Sequence, residues 1–127
     1  MVLNVSIKRE FTPKAFGNDK APAAEQIKVE HHAPTLALKE KLFPKVFQYD
    51  GKGEVTGTFE IDREKIIRAF VKDIRNLGYQ SDEEGGATIK IRTADELMKA
   101  PSAFEELLDE LYAYFQELLN TKINEKN

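Results

Sequence analysis

Leu3, Val5 and Ile7 are separated by Asn4 and Ser6, and this period of two predicts a half-buried strand at the start of the chain. The alternation returns over residues 26–31 around Ile27 and Val29. Between the two, residues 12–22 hold Pro13, Gly17, Asn18, Asp19 and Pro22 and read as a loop crossing a surface, with Phe11 and Phe16 as anchors. Pro34 and Thr35 open a short helix in which Leu38 and Leu42 lie one turn apart, and Pro44 stops it. Residues 45–49 and 54–61 flank Asp50-Gly51-Lys52-Gly53, a glycine-bearing reversal that predicts a β-hairpin, with Gly57 at a bulge or a close backbone approach.

From residue 63 the period lengthens. Ile67, Phe70, Val71 and Ile74 fall on one side of a helix predicted over residues 63–77, capped by Asp62 and closed by Gly78 in a left-handed conformation. Residues 80–86 form an acidic, glycine-ended loop, and residues 87–92 a strand with Ile89 and Ile91 on one side. Thr93-Ala94-Asp95-Glu96 and Ser102-Ala103-Phe104-Glu105 are two capping boxes, in which a hydroxyl accepts from the third backbone N–H and a glutamate reaches back. Beyond the second, Leu107, Leu108, Leu111, Phe115, Leu118 and Leu119 keep the helical period while Glu105, Glu106, Asp109 and Glu110 gather opposite. This order of elements predicts an α+β fold, a small mostly antiparallel sheet packed by two longer amphipathic helices and two short ones. Residues 1–120 form its single domain and residues 121–127 a polar, fraying tail.

The 127 residues suffice to enclose one core without staples. Cysteine is absent, which removes disulfides, thiol catalysis and thiolate metal sites. The first residues hold no apolar run long enough for a signal h-region or a membrane span. A formal net charge of −3 is too slight to draw a nucleic acid or membrane by the field of the whole molecule.

Local patches are therefore what matters. On the helix predicted over residues 63–77, Lys65, Arg68, Lys72 and Arg75 form a basic stripe that would dock an acidic partner or a phosphate backbone, although the same spacing describes an ordinary solvated face. No aromatic residue is interleaved, so a platform for stacking bases is missing. His31 and His32, as neighbours in a strand, point to opposite faces and cannot share a metal ion from that strand. Asp82-Glu83-Glu84-Gly85-Gly86 lacks the spaced ligands of a calcium loop. Neither a nucleophile motif nor a phosphate-binding glycine motif is present, and the reading is a non-enzymatic protein without cofactor or metal. The apolar sector of the last helix is broad, and Tyr112 and Leu119 at its margin are candidates for a partner surface, where the helix could also pair with a copy of itself.

In their order of parts, residues 11–18 (FTPKAFGN), 22–29 (PAAEQIKV), 71–77 (VKDIRNL) and 91–98 (IRTADELM), followed by a Glu- and Leu-rich helix, resemble the tail assembly chaperones of long-tailed bacteriophages. The resemblance implies a non-enzymatic helper that binds the phage tape-measure protein in the cytoplasm of the infected bacterium and keeps it soluble before tail-tube subunits polymerise. It also implies contact with the tail-tube protein through a frameshifted long form. Two alternatives compete: a small structural virion subunit of the head-completion or tail-terminator type, and a host-directed acidic binding protein.

Overall fold

In a computed structural model, which describes residues 1–5, 7–42, 48–49, 55–56, 62–83 and 85–120, the chain passes from helix to strand at Phe70 without a connecting residue. Helix α2 (Arg63–Phe70) is capped by Asp62, whose carboxylate accepts from the Glu64 N–H at 2.9 Å. Its last bond is Val71 N–H to the Ile67 carbonyl, and the Phe70 carbonyl then accepts from His32 N–H at 2.8 Å. The helix predicted to continue to residue 77 therefore ends at residue 70, and Val71–Arg75 is strand β5. The misleading signal has a physical origin. In β5 the pairing with β2 (Lys28–His31) skips Lys72, so Val71 lies opposite His31 while Asp73 lies opposite Glu30. This bulge lets Val71 and Ile74 both face inward at a spacing of three, which imitates the helical period.

Strands β1 (Glu10–Phe11), β2 and β5 form an antiparallel sheet in the order β1-β2-β5. Asn76, at φ 61°, and not Gly78, takes the left-handed conformation after β5, and its side-chain amide donates to the carbonyls of Ala24 and Gln26. The chain then runs into β6 (Gly78–Gln80), which pairs with β7 (Thr88–Lys90). Gly78 serves close approach, since a Cβ there would stand 2.9 Å from the Ile89 carbonyl oxygen. Beyond β7, Ile91 N–H bonds to Leu77 and Ile74 N–H to the Arg92 carbonyl, which ties this ribbon to β5. Ile91 is buried but Ile89 is 46% exposed, so the two do not share an inner face. A third antiparallel pair, β3 (Gln48–Tyr49) with β4 (Val55–Thr56), supplies the predicted hairpin; its turn, Gly57 and Pro44 lie outside the described residues, as does the tail over residues 121–127.

Helix α1 (Leu36–Leu42) starts as predicted, with Thr35 Oγ1 accepting from Leu38 N–H. Thr93 caps α3 (Ala94–Met98) by accepting from the Glu96 N–H, and its hydroxyl donates to the Glu96 carboxylate. The second capping box does not form. Pro101 precedes a 3-10 turn over Ser102–Phe104, which places Ser102 inside the turn and not at its cap, and α4 (Glu105–Leu119) follows with no side-chain cap. The predicted first strand does not appear among the described residues of this segment, 1–5 and 7–9, which hold one isolated bridge, at Asn4.

Helices α2 and α4 pack together over the sheet. Ile66, Ile67 and Phe70 meet Leu107, Leu111 and Phe115, with Val29 and Ile74 below and Leu97 of α3 beside them. The loop over residues 12–22 contains a 3-10 segment, Ala15–Lys20, and is fastened to α4 by one carboxylate. Glu110 accepts from Lys14 N–H at 2.7 Å and from Ala15 N–H at 2.9 Å. Buried Asn18 holds the loop's other side, donating to Pro13 and Ile27 carbonyls and accepting from Ile27 N–H. The result is a small α+β fold.

Leu111 and Phe115 are fully buried one turn apart at the centre of α4. Leu111→Ala should lower the unfolding free energy by about 2–5 kcal/mol and Phe115→Ala by about 3–5 kcal/mol, as read from urea titrations. A loss under about 1 kcal/mol at either site would contradict this packing.

Candidate functional site

The change from helix to strand at Phe70 divides the predicted basic stripe. Lys65 and Arg68 are on α2, whereas Lys72 and Arg75 are on β5. Arg68 is engaged on both sides, by Glu64 one turn earlier at 3.0 Å and by Asp95 of α3 at 3.1 Å. Arg75 reaches Glu10 at 3.3 Å and, more distantly, Glu30 at 4.0 Å, and Lys72 lies 3.8 Å from Glu30. These are exposed pairs, screened by water, and they fix side chains more than they stabilise the fold. No continuous cationic stripe results. Arg63, which the sequence did not single out, fastens the start of α2 to α4 through Asp109 at 2.6 Å and Glu105 at 3.4 Å.

On α4, Leu119 is 5% exposed and belongs to the core, which corrects the expectation that it stands exposed at the margin of the helix. Tyr112 is half-buried against the same core. Tyr114 carries the chemistry that this helix brings inward. It stacks on Phe11 with centroids 3.9 Å apart, and its hydroxyl lies 2.9 Å from Nε2 of buried His31. His31 Nδ1 lies 2.8 Å from the His32 carbonyl, which can only accept, so Nδ1 carries the proton and Nε2 accepts from the tyrosine. Burial, the largest influence, holds His31 below the usual histidine pKa, and burial also raises that of Tyr114. The pair is thus a neutral, satisfied hydrogen-bonded unit within the core. His32 points to solvent, as the alternation required. Among the described residues no group of three or more His, Asp or Glu could hold a metal ion, and no helix is long and apolar enough to cross a membrane.

The largest anomaly lies at residues 1–7 and α1. Leu3, Val5, Ile7 and Leu36 are 49%, 52%, 61% and 80% exposed, and with Met1, Val2, Phe16 and Ile89 they stand out among the described residues, whose large apolar side chains are otherwise mostly enclosed. Val5, Ile7 and Leu36 border an open groove of about 280 Å³ whose other wall includes Leu118 and Leu119 at the end of α4. The sequence held half of this signal. Leu36 lies two residues from Leu38, about 200° around a helix, so it could not share the inward face of α1. The other half was hidden, because the alternation at Leu3, Val5 and Ile7 suits a half-buried strand equally well.

Comparison of the sequence with protein-family models and with curated proteins, and of the fold with solved structures, returns no match. The residues themselves carry the functional reading.

The His31 environment sets a pH dependence. Because the folded state resists protonation of His31, stability should be undiminished above pH 6.5 and fall as pH drops below 6.5, levelling once the folded state also takes the proton. Asp95 acts lower: hydrogen bonds from Lys99 and then Arg68 depress its pKa below 3.8, so its contribution is present above 3.8 and lost as pH falls through the depressed value. Imidazole NMR titration should show the Nδ1–H tautomer at neutral pH and a midpoint for His31 below 6.5. A midpoint above 6.5 would contradict the assignment.

Proposed function

We propose that this protein is a non-enzymatic binding protein of the tail assembly chaperone kind, which covers an apolar segment of a phage tape-measure protein until the tail tube assembles around it. One observation supports the reading: the exposed apolar strip formed by Leu3, Val5, Ile7 and Leu36 beside the groove over Leu118 and Leu119. Contiguous exposed apolar surface is costly in water and marks contact with another protein. A long chain with apolar stripes aggregates unless such surface is covered, and a partner bearing a complementary strip with a charged exterior keeps the complex in solution. The resemblance in residues 11–18, 22–29, 71–77 and 91–98 supplies the identity of the partner. Leu119 enters this contact as part of the groove wall and not as an exposed side chain, and half-buried Tyr112 is not among the residues bordering it.

Val5→Asp together with Leu36→Asp places charge on the strip at exposed positions. The double variant should melt within a few degrees of the parent, since surface substitutions change stability by about 0.5 kcal/mol or less. On co-expression, tape-measure protein should stay soluble with the parent and pellet with the variant. Tape-measure solubility that does not depend on this chain would reject the function. Solubility unchanged by the double variant would reject the strip as the contact surface.

A further inference from the structure

A second groove, of about 530 Å³, lies on the other side of α1 and is different in character. Arg9 from the segment before β1, His32 after β2, Lys41 of α1 and bulged Lys72 of β5 border it, and no carboxylate does. Elsewhere Arg63, Arg68 and Arg75 have an acidic oxygen at 2.6, 3.0 and 3.3 Å, while Arg92 forms no ion pair among the described residues. Here Arg9 and Lys41 form no ion pair among the described residues, and Lys72 has only Glu30 at 3.8 Å, which Arg75 also contacts. Three unneutralised or weakly neutralised cations meeting in one groove run against a chain of net charge −3 with 22 acidic residues. Four separate chain segments bring these groups together, and the bulge in β5 is what turns Lys72 outward.

We propose that this groove binds a carboxylate-rich segment of a partner protein, in which acidic side chains alternate with small or aliphatic ones. The charge selects the acidic groups. The floor selects the rest: Ala33, Ala37 and Ala69 are small enough for a bound backbone to approach, and Leu38 offers an aliphatic contact. The rings that line the groove are the imidazoles of buried His31 and of His32, and no Phe, Tyr or Trp offers the broad stacking platform that single-stranded nucleic acids use. Attraction of this kind governs encounter and specificity and weakens with salt. The inference stands on these charges and does not rest on the apolar strip.

The test uses the full chain and a fluorescein-labelled synthetic peptide in which Glu alternates with Ala and Val, followed by anisotropy. Controls are the same peptide with Gln for Glu and a single-stranded oligothymidylate of equal charge. The parent should bind the Glu peptide and lose affinity between about 50 and about 200 mM salt, as the screening length shortens. Arg9→Glu with Lys41→Glu should weaken binding by about tenfold or more, whereas Lys90→Glu with Arg92→Glu, which alters another groove by the same charge, should change it by about twofold or less. Equal weakening by both pairs, binding of the Gln peptide as tight as that of the Glu peptide, or no binding by the parent overturns the proposal. Tighter binding of the oligothymidylate overturns it in favour of nucleic acid. Circular dichroism checks that each variant folds; should the Arg9 and Lys41 double variant fail, Lys41→Ala is compared with Lys90→Ala, which removes the same single charge from the other groove. The co-expression assay on the apolar strip is unaffected by any of these outcomes, so the two readings fail separately.

Discussion

Everything in this fold is organised around the stacking of Phe70 on Phe115, parallel to within 4° and 4.6 Å between centroids. Phe70 closes α2 and Phe115 lies on the inner face of α4, so one contact sets how the two helices sit. His31 of β2 approaches both rings edge-on, at 6.2 and 5.4 Å, and Tyr114 links it outward to Phe11 of β1. Aromatic pairs in these geometries contribute about 0.5–1.5 kcal/mol each beyond the area they bury. The single polar ring in the cluster is tolerated because both of its nitrogens are satisfied, one by a carbonyl and one by a hydroxyl. The price of that arrangement is sensitivity to protonation, since a charged imidazole would be buried away from water and the Tyr114 hydroxyl would have to turn from donor to acceptor at Nε2.

Most of the architecture could be read from the chain, and the failures share a cause. The final helix was legible because fifteen residues of unbroken period leave little ambiguity. The α2 boundary was not, since a bulge makes a strand imitate the helical spacing at Val71 and Ile74. The second capping box failed because Pro101 starts a 3-10 turn that shifts Ser102 out of the cap, a one-residue effect that composition does not reveal. For the surface, the cations of the second groove come from three places between residues 9 and 72, so no local motif could announce them. Glu110 illustrates the same limit: it reads as one more acid on a solvated face, yet its carboxylate holds a loop ninety-six residues away in sequence.

Helix α1 stands between two surfaces of unlike chemistry. One flank offers Leu36 to an apolar groove, and the other offers Lys41 to a cationic one. Both grooves share Ala33 and Thr35, the residues that lead into the helix. A seven-residue helix with one buried leucine is a modest support for this position, and Leu42 is the side chain that seats it.

The junction at Phe70 and Val71 has a consequence for how this chain can vary. A helix advances by about 100° per residue and a strand by 180°, and a loop between them normally absorbs a change in length. No loop exists here, and both neighbours are committed, Phe70 to its stack and Val71 to its place opposite His31. An added or deleted residue would rotate one element out of the core or slip the other by one position, exposing its inward side chains. Residues 66–71 should therefore behave as a segment of fixed length, open to exchange of side chains but closed to insertion and deletion, whereas the bulge at Lys72 is already a place where the strand carries an extra residue.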